Sequence, residues 1–376
     1  MAIKFGKKSK IKNIILFESI PVYSGNSKHV YNEMVKQNWN KKYRLIWISN
    51  GTETIDNKRI KVIYCNCSNP IKKMLNNLYS AYLYNVAKCV ILSNEFPTFI
   101  NGKRKDQYCI NLAHGEALKN CSDHYNLPDY IDEVACLSSF LAKYDAINFN
   151  CDISKMLPIG YSRNDVLFGP PKDLNSIFNK KFKKCIYWMP TYRQHKNGKV
   201  NTSDISFPIV YSEREAQIIN RCAIDNDTLI IIKPHPAQDL TRLTSMDMSN
   251  IIFINDSFLM VNNIDNYELL RSVDALLSDY SSVYYDYLLC DKPIGLCFDD
   301  FDDYNCREGF TVDPEYILAG GQKIYNTEDL CEFICSVSRG EDKLFKNRNR
   351  IKEICHQYCD DNSTKRIVDM IEKRLR

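Results

Sequence analysis

Short apolar runs alternate with stretches of helical length through almost the whole of this 376-residue chain, in two successive series. In the first, Ile14–Phe17, Leu45–Ile48, Val62–Tyr64, Cys89–Leu92, Cys109–Ala113 and Val134–Leu137 are rich in Ile, Val and Cys and bounded by polar residues. Segments such as Ser27–Gln37 and Ile71–Lys88 lie between them. The second series runs through Cys185–Met189, Thr228–Ile232, Ile251–Ile254, Ala275–Leu277 and Ile294–Cys297. Its helical stretches are Ser212–Asp225, Tyr267–Val273, Ser282–Cys290 and Thr327–Ser338. An apolar run without polar alternation marks a strand buried on both faces, and a helical crossover returns the chain parallel to the strand before it. The pattern predicts the α/β class, with two Rossmann-like domains facing a cleft.

Between the series lies Phe168–Lys184, whose Gly169, Pro170, Pro171 and several lysines read as a linker. The expected organisation is residues 1–168 as an N-terminal domain, 169–345 as a second, and 346–376 as a helical segment. Within Lys343–Arg376 the pattern predicts one or two helices interrupted near Asp360–Asn362. With 44% hydrophobic and 26% charged residues, disordered and fibrous classes are excluded. No apolar stretch approaches the roughly 18–20 residues of a membrane span. Behind the five lysines of Met1–Lys12, the run Ile14–Phe17 stops at Glu18, too short for a secretory core. The expected location is cytoplasmic, or on a membrane surface without crossing it. The sixteen cysteines form no CxxC, the closest pairs being Cys65/Cys67, Cys331/Cys335 and Cys355/Cys359, and they read as reduced thiols. Residues 1–170 hold 23 Lys+Arg against 14 Asp+Glu, whereas residues 171–376 hold 27 against 32. A basic first half points to an anionic partner, lipid headgroups or nucleic acid, and no nucleic-acid motif is present.

Ligands of open parallel sheets collect at the carboxyl ends of the strands, and four such exits carry reactive residues. Cys109–Lys119 delivers His114 and Gly115, with Lys119 five positions on; a neutral imidazole there suits a general base. In Cys185–Arg193, Pro190 stops the strand, and Thr191 and Arg193 offer a hydroxyl and a guanidinium fork to phosphate oxygens. In Thr228–Pro236, two prolines clamp His235 in a stiff turn. Asp279, Ser281 and Ser282 join a strand to a helix start, where they either cap the helix or meet an anion. Together these make a phosphate site. There is no GxxxxGK[ST] and no GxGxxG, so P-loop hydrolysis and dinucleotide redox chemistry lack support. The run Asp299–Asp303 reads as an acidic loop rather than a metal site.

These residues resemble the CDP-glycerol glycerophosphotransferases, primases and polymerases of teichoic acid and related capsule polymers. Tyr23–Asn26 with Lys28 resembles an early SxxN-type segment, His114-Gly115 with Lys119 resembles HGxxxK, and Gly160–Asp165 resembles GxPRND. Pro190–Arg193 resembles PTxR, and Lys233–Pro236 resembles KxHP. Ser278–Val283 with Asp286 and Pro293 resembles the TDYSS block, Arg307–Phe310 its RxGF sequel, and Asp360–Arg366 the terminal DGNxSxR segment. The chain departs from the pattern at Ala113, where Trp is common, at Ala117 and Ser162, where Pro is common, and at Asp361, which replaces Gly.

The resemblance implies a GT-B-like architecture, an N-terminal acceptor domain and a C-terminal domain holding CDP-glycerol. It implies attack of an acceptor hydroxyl, on a lipid-linked saccharide or polymer, at the β-phosphorus of CDP-glycerol, with CMP leaving. His114 is then the general base, and His235 supports or protonates the diphosphate. Donor-binding residues are Lys119, Arg163, Thr191, Arg193, Lys233, Asp279, Ser281, Ser282, Asp286 and Arg307. No obligatory metal or cofactor is implied, and no nucleic-acid partner. A lipid-linked acceptor implies peripheral work on the anionic cytoplasmic face of the cell membrane. The alternatives are a ribitol-phosphate transferase of the same family and a GT-B nucleotide-sugar glycosyltransferase.

Overall fold

A computed structural model describes residues 6–376 except 52–53, 56, 95, 98–103, 117, 124, 192–206, 235–237 and 239–240. The chain divides into two compact units. The first comprises Met1–Glu116, Cys121–Asp165 and His356–Arg376, and the second Ala117–Asn120 and Val166–Cys355.

The first unit is built on parallel strands β1 (Lys12–Glu18), β2 (Arg44–Ser49), β3 (Val62–Tyr64), β4 (Ala87–Leu92), β5 (Tyr108–Asn111), β6 (Glu133–Cys136) and β7 (Met156–Pro158). Their order is β3-β2-β1-β4-β5-β6-β7. At the centre, Ile15 pairs with Leu45 on one side and Cys89 on the other. The uninterrupted apolar runs become central strands because helices cover both faces; Ile14, Leu16, Ile46, Val90 and Cys109 belong to one buried core. The second unit repeats the plan with β8 (Lys184–Trp188), β9 (Thr228–Ile232), β10 (Ile251–Phe253), β11 (Ala275–Ser278), β12 (Ile294–Cys297) and β13 (Gln322–Ile324). Their order is β10-β9-β8-β11-β12-β13, all parallel, around a core containing Ile186, Trp188, Ile230, Leu277 and Phe333. Both orders are doubly wound, with the direction of strand addition reversing between β1 and β4 and between β8 and β11.

Sequence and structure differ at the edges. β7 (Met-Leu-Pro) and β13 (Gln-Lys-Ile) escape the hydrophobic pattern because each is three residues long and includes a proline or polar residues. Phe168–Lys184 is not a free linker: it holds a helix, Leu174–Phe178, capped by Asp173, and Lys172 N–H donates to Ser272 Oγ at 2.7 Å. Asp299–Asp303 is not a loop either, since Phe301 opens a helix ending at Arg307. The carboxylate of Asp299 accepts the Ile209 N–H, and that of Asp300 accepts the Tyr280 hydroxyl.

Past the helix Phe345–Cys355, which packs in the second unit, the chain returns to the first as the helix Ser363–Leu375. That helix buries Ile367, Val368, Ile371 and Leu375. Its start is held from a distance: Asp165 accepts the N–H groups of Ser363 and Thr364 at 2.9 and 2.8 Å. These are donors that a helix leaves unsatisfied at its first turn. Gly160 sits beneath at φ +84°, where an added Cβ would lie 2.5 Å from Ser363 Oγ. Arg366 donates to the Ile159 carbonyl and pairs with Asp360 at 2.8 Å. Two motif segments almost 200 positions apart thus form one structural joint.

Candidate active site

In the first unit the reactive residues gather where β1, β4 and β5 end. Glu18, last in β1, is buried, and its carboxylate accepts the Ser93 and Asn94 N–H groups at 3.4 Å each. Ser27 Oγ donates to the Glu18 carbonyl and lies 2.6 Å from Ser93 Oγ. β5 stops at Asn111 because the chain turns: Ala113 adopts φ +53°, its N–H donating to Asn111 Oδ1 at 2.8 Å. This conformation is costly for a residue with a Cβ and needs support from its surroundings. The turn carries His114 to an exposed position. There its Nδ1 lies 3.3 Å from the Ser93 carbonyl oxygen. Because a carbonyl only accepts, this contact assigns the proton to Nδ1 and leaves Nε2 as the basic nitrogen. Desolvation on the protein side, then the nearby Arg163 guanidinium, hold the His114 pKa below the ordinary histidine value. Arg163 is buried, lies over the Tyr161 ring and donates to the His114 carbonyl at 2.6 Å. Glu116 anchors the far side of the turn, accepting the Leu137 N–H and the Tyr161 hydroxyl.

In the second unit, the exits of β8 and β11 meet across the switch point. Thr191 N–H approaches both Asp279 carboxylate oxygens, at 3.1 and 2.9 Å, and Thr191 Oγ1 donates to Asp279 Oδ2 at 2.9 Å. Ser278 Oγ donates to the Met189 carbonyl one step below. Asp279 is fully buried and its carboxylate takes part in this clamp, while the helix that follows has Ser282 at its N-cap. Thr191 likewise gives its one hydroxyl proton to Asp279 and keeps only acceptor capacity toward a ligand. Ser281 and Ser282, half-buried, precede the helix Val283–Leu288. Asp286, within that helix, is buried and accepts the Tyr267 hydroxyl at 2.6 Å. Lys233 follows β9 and pairs with Asp256 at 3.0 Å. Lys119 lies in this unit too, bridged to Phe310, with its ammonium 5.4 Å from the centre of the Tyr304 ring. Tyr280 stacks among Phe298, Phe301, Tyr304 and Phe310. Arg307 is exposed, its Nε donating to the Asp303 carbonyl. Arg193 and His235 lie outside the described residues.

The family described as CDP-glycerol:poly(glycerophosphate) glycerophosphotransferase matches residues 1–373. The chain belongs to this family. It is 24% identical to a teichoic acid glycerol-phosphate primase of Bacillus subtilis (strain 168), over 98% of this chain and 92% of that protein. It is 27% identical to the teichoic acid ribitol-phosphate polymerase TarL of Staphylococcus aureus, over 82% of this chain and 54% of that longer protein. Among solved structures, the wall teichoic acid polymerase TagF superposes with a TM-score of 0.74 at 20% identity, over 100% of this chain and 93% of that one. A TagF structure soaked with CDPG gives the same TM-score at 21% identity, over 99% and 92%. This glycerophosphotransferase therefore has the GT-B-like fold of a teichoic acid polymerase and is a transferase acting with CDP-glycerol.

Within the glycerophosphotransferase, the expected residues form two sets. His114 and Arg163 stand together in the first unit, while Thr191, Lys233, Asp279, Ser281, Ser282, Asp286, Lys119 and Arg307 are in the second. The HGxxxK motif is split, its histidine in one unit and its lysine in the other. Sequence reading passed over Glu18, Ser27, Ser93 and Glu116. Glu18 carried a signal, as a buried acidic residue closing the central strand directly after the apolar run Ile14–Phe17.

Proposed function

We propose that this glycerophosphotransferase adds glycerol phosphate to a hydroxyl of a lipid-linked saccharide or polyol-phosphate acceptor, as in teichoic acid or capsule polymer synthesis. The observation that carries the catalytic reading is His114, exposed at a strand exit with Nδ1 against the Ser93 carbonyl and its pKa lowered. Nε2 takes the acceptor's hydroxyl proton as that oxygen bonds to the β-phosphorus. The bond from that phosphorus to the bridging oxygen breaks, and its electron pair leaves with CMP. His235 supports or protonates the departing oxygen. Arg193, Ser281, Ser282 and Lys233 hold diphosphate oxygens, with Lys119, Arg163 and Arg307 adding positive charge. Thr191 and Asp279 hold that strand exit beside the donor, and Asp286 fixes the helix behind the serines. Phosphoryl transfer depends mainly on such positioning and charge stabilisation.

Mass spectrometry of products from CDP-glycerol and CDP-ribitol, each with lipid-linked acceptors, tests the reading. Acceptor mass rising by glycerol phosphate, with CMP released, is expected. Preference for CDP-ribitol would transfer the proposal to ribitol phosphate, and turnover of UDP-sugars alone would overturn it.

A membrane surface is the second partner we propose. Among the described residues, no helix is long and apolar enough to cross a membrane. The helix Pro70–Val86 packs its second half inward through Ser80, Ala81, Leu83, Tyr84 and Val86. Its first half leaves Ile71, Met74, Leu75 and Leu78 between 47% and 67% exposed, beside exposed Lys72 and Lys73. Further along the helix Val86 is buried and Tyr82 packs on the core. Exposed apolar residues at helical spacing beside lysines suit an anionic bilayer.

A further inference from the structure

We infer that Asn26 is a positioning residue that sets the orientation of the His114 ring; this rests on His114 being the acceptor base. Asn26 is 1% exposed, so its side chain is closed to substrate. Its Nδ2 donates to the Leu112 carbonyl at 2.9 Å and to the Ala113 carbonyl at 3.0 Å, the two peptides that turn the chain out of β5. Its Oδ1 accepts the Arg163 N–H at 3.1 Å and lies 3.3 Å from Ser162 Oγ, while its own carbonyl accepts that hydroxyl at 2.7 Å. One amide thus holds the left-handed turn at Ala113 with its two protons and the Arg163 segment with its oxygen. Arg163 closes the ring of contacts by donating to the His114 carbonyl at 2.6 Å.

No substitute reproduces this arrangement. Aspartate would set carboxylate oxygens against two carbonyls, and alanine would leave both carbonyls and the Arg163 N–H without Asn26. The Ser162 hydroxyl is this chain's own addition to the joint, at a position where the resembled motif has proline. The charged group that acts on His114 is Arg163, from the segment after β7; Glu18 bonds the Ser93 and Asn94 N–H groups, and Glu116, on the same loop as His114, bonds Leu137 and Tyr161.

The test compares wild type with Asn26→Ala, Asn26→Asp and the milder Ser162→Ala, each checked for folding by thermal melting. Misplacement of a catalytic group by about 1 Å costs up to roughly 10²-fold in rate. We expect kcat to fall about 10- to 100-fold in both Asn26 variants and a few-fold in Ser162→Ala, with KM for CDP-glycerol unchanged. NMR titration of the imidazoles, with His114 assigned through His114→Gln, should show its pKa rising toward 6.5 as the ring loses its protein-side desolvation and the nearby Arg163 charge. A folded Asn26→Ala that keeps wild-type kcat and the same His114 titration would overturn the inference. If His114→Gln itself keeps full kcat while Asn26→Ala still shifts the titration, the base assignment fails and the positioning role stands.

Discussion

At His114 the Ser93 carbonyl fixes the proton on Nδ1, and desolvation on the protein side with the Arg163 charge outweighs that contact's upward pull and disfavours a second proton. The neutral ring, able to act as a base, is the form present above its lowered pKa. Activity should therefore persist downward through pH 6.5 and disappear as the pH falls through the folded value. Arg163→Gln removes the charge that lowers the pKa, so the acid limb of the kcat profile should move to higher pH. His114→Ala should leave the melting profile unchanged and cut kcat about 10²–10⁴-fold with saturating acceptor. Turnover near wild type in that variant would exclude His114 as the base.

Among elements, the exits of β8 and β11 form a clamp in which Asp279 holds Thr191 by backbone and side chain. Asp279→Ala should release Thr191 and weaken CDP-glycerol binding. Loss of a charge-assisted contact typically costs about 1.5–3 kcal/mol, so calorimetry should register a weakening of roughly tenfold or more. Unchanged affinity would place the donor elsewhere in the chain. The helix Pro70–Val86 makes a different prediction, because its exposed half carries both apolar residues and lysines. Co-sedimentation with anionic vesicles should weaken at high salt and after Lys72→Glu with Lys73→Glu, since each basic residue near such a surface contributes about 1 kcal/mol within a Debye length. Equal partitioning onto neutral vesicles would count against the membrane reading.

Across the whole molecule, the chain does not divide into consecutive blocks. Residues 118–120 pair within the second unit, and the final helix returns to complete the first. The first unit's stability should consequently depend on residues at the end of the chain. Ile371→Ala, at a fully buried position, should cost about 2–5 kcal/mol. Asp165→Ala removes the acceptor for two helix-start N–H groups and should cost about 1 kcal/mol. Urea titration of both variants checks these values, and a wild-type midpoint in Ile371→Ala would show that the helix adds little to the unit.

The central strands were legible in the amino-acid sequence because parallel strands covered on both faces must be apolar throughout, as in Ile14–Phe17 and Thr228–Ile232. Residue types that turn a chain or meet phosphate also announce themselves, which is how His114 and the Asp279–Ser282 block could be singled out. Other features were settled only by tertiary structure. Edge strands β7 and β13 mix proline or polar residues into three positions and leave no apolar run. Which polar residues meet depends on contacts between distant positions: Asp279 reads as a helix cap until Thr191, 88 residues earlier, takes its carboxylate. Asn26 is only the end of an SxxN-like segment until the end of β5 and the Arg163 segment converge on its amide. A side chain's hydrogen-bonding capacity is written in its residue type, but its partners are chosen by the fold.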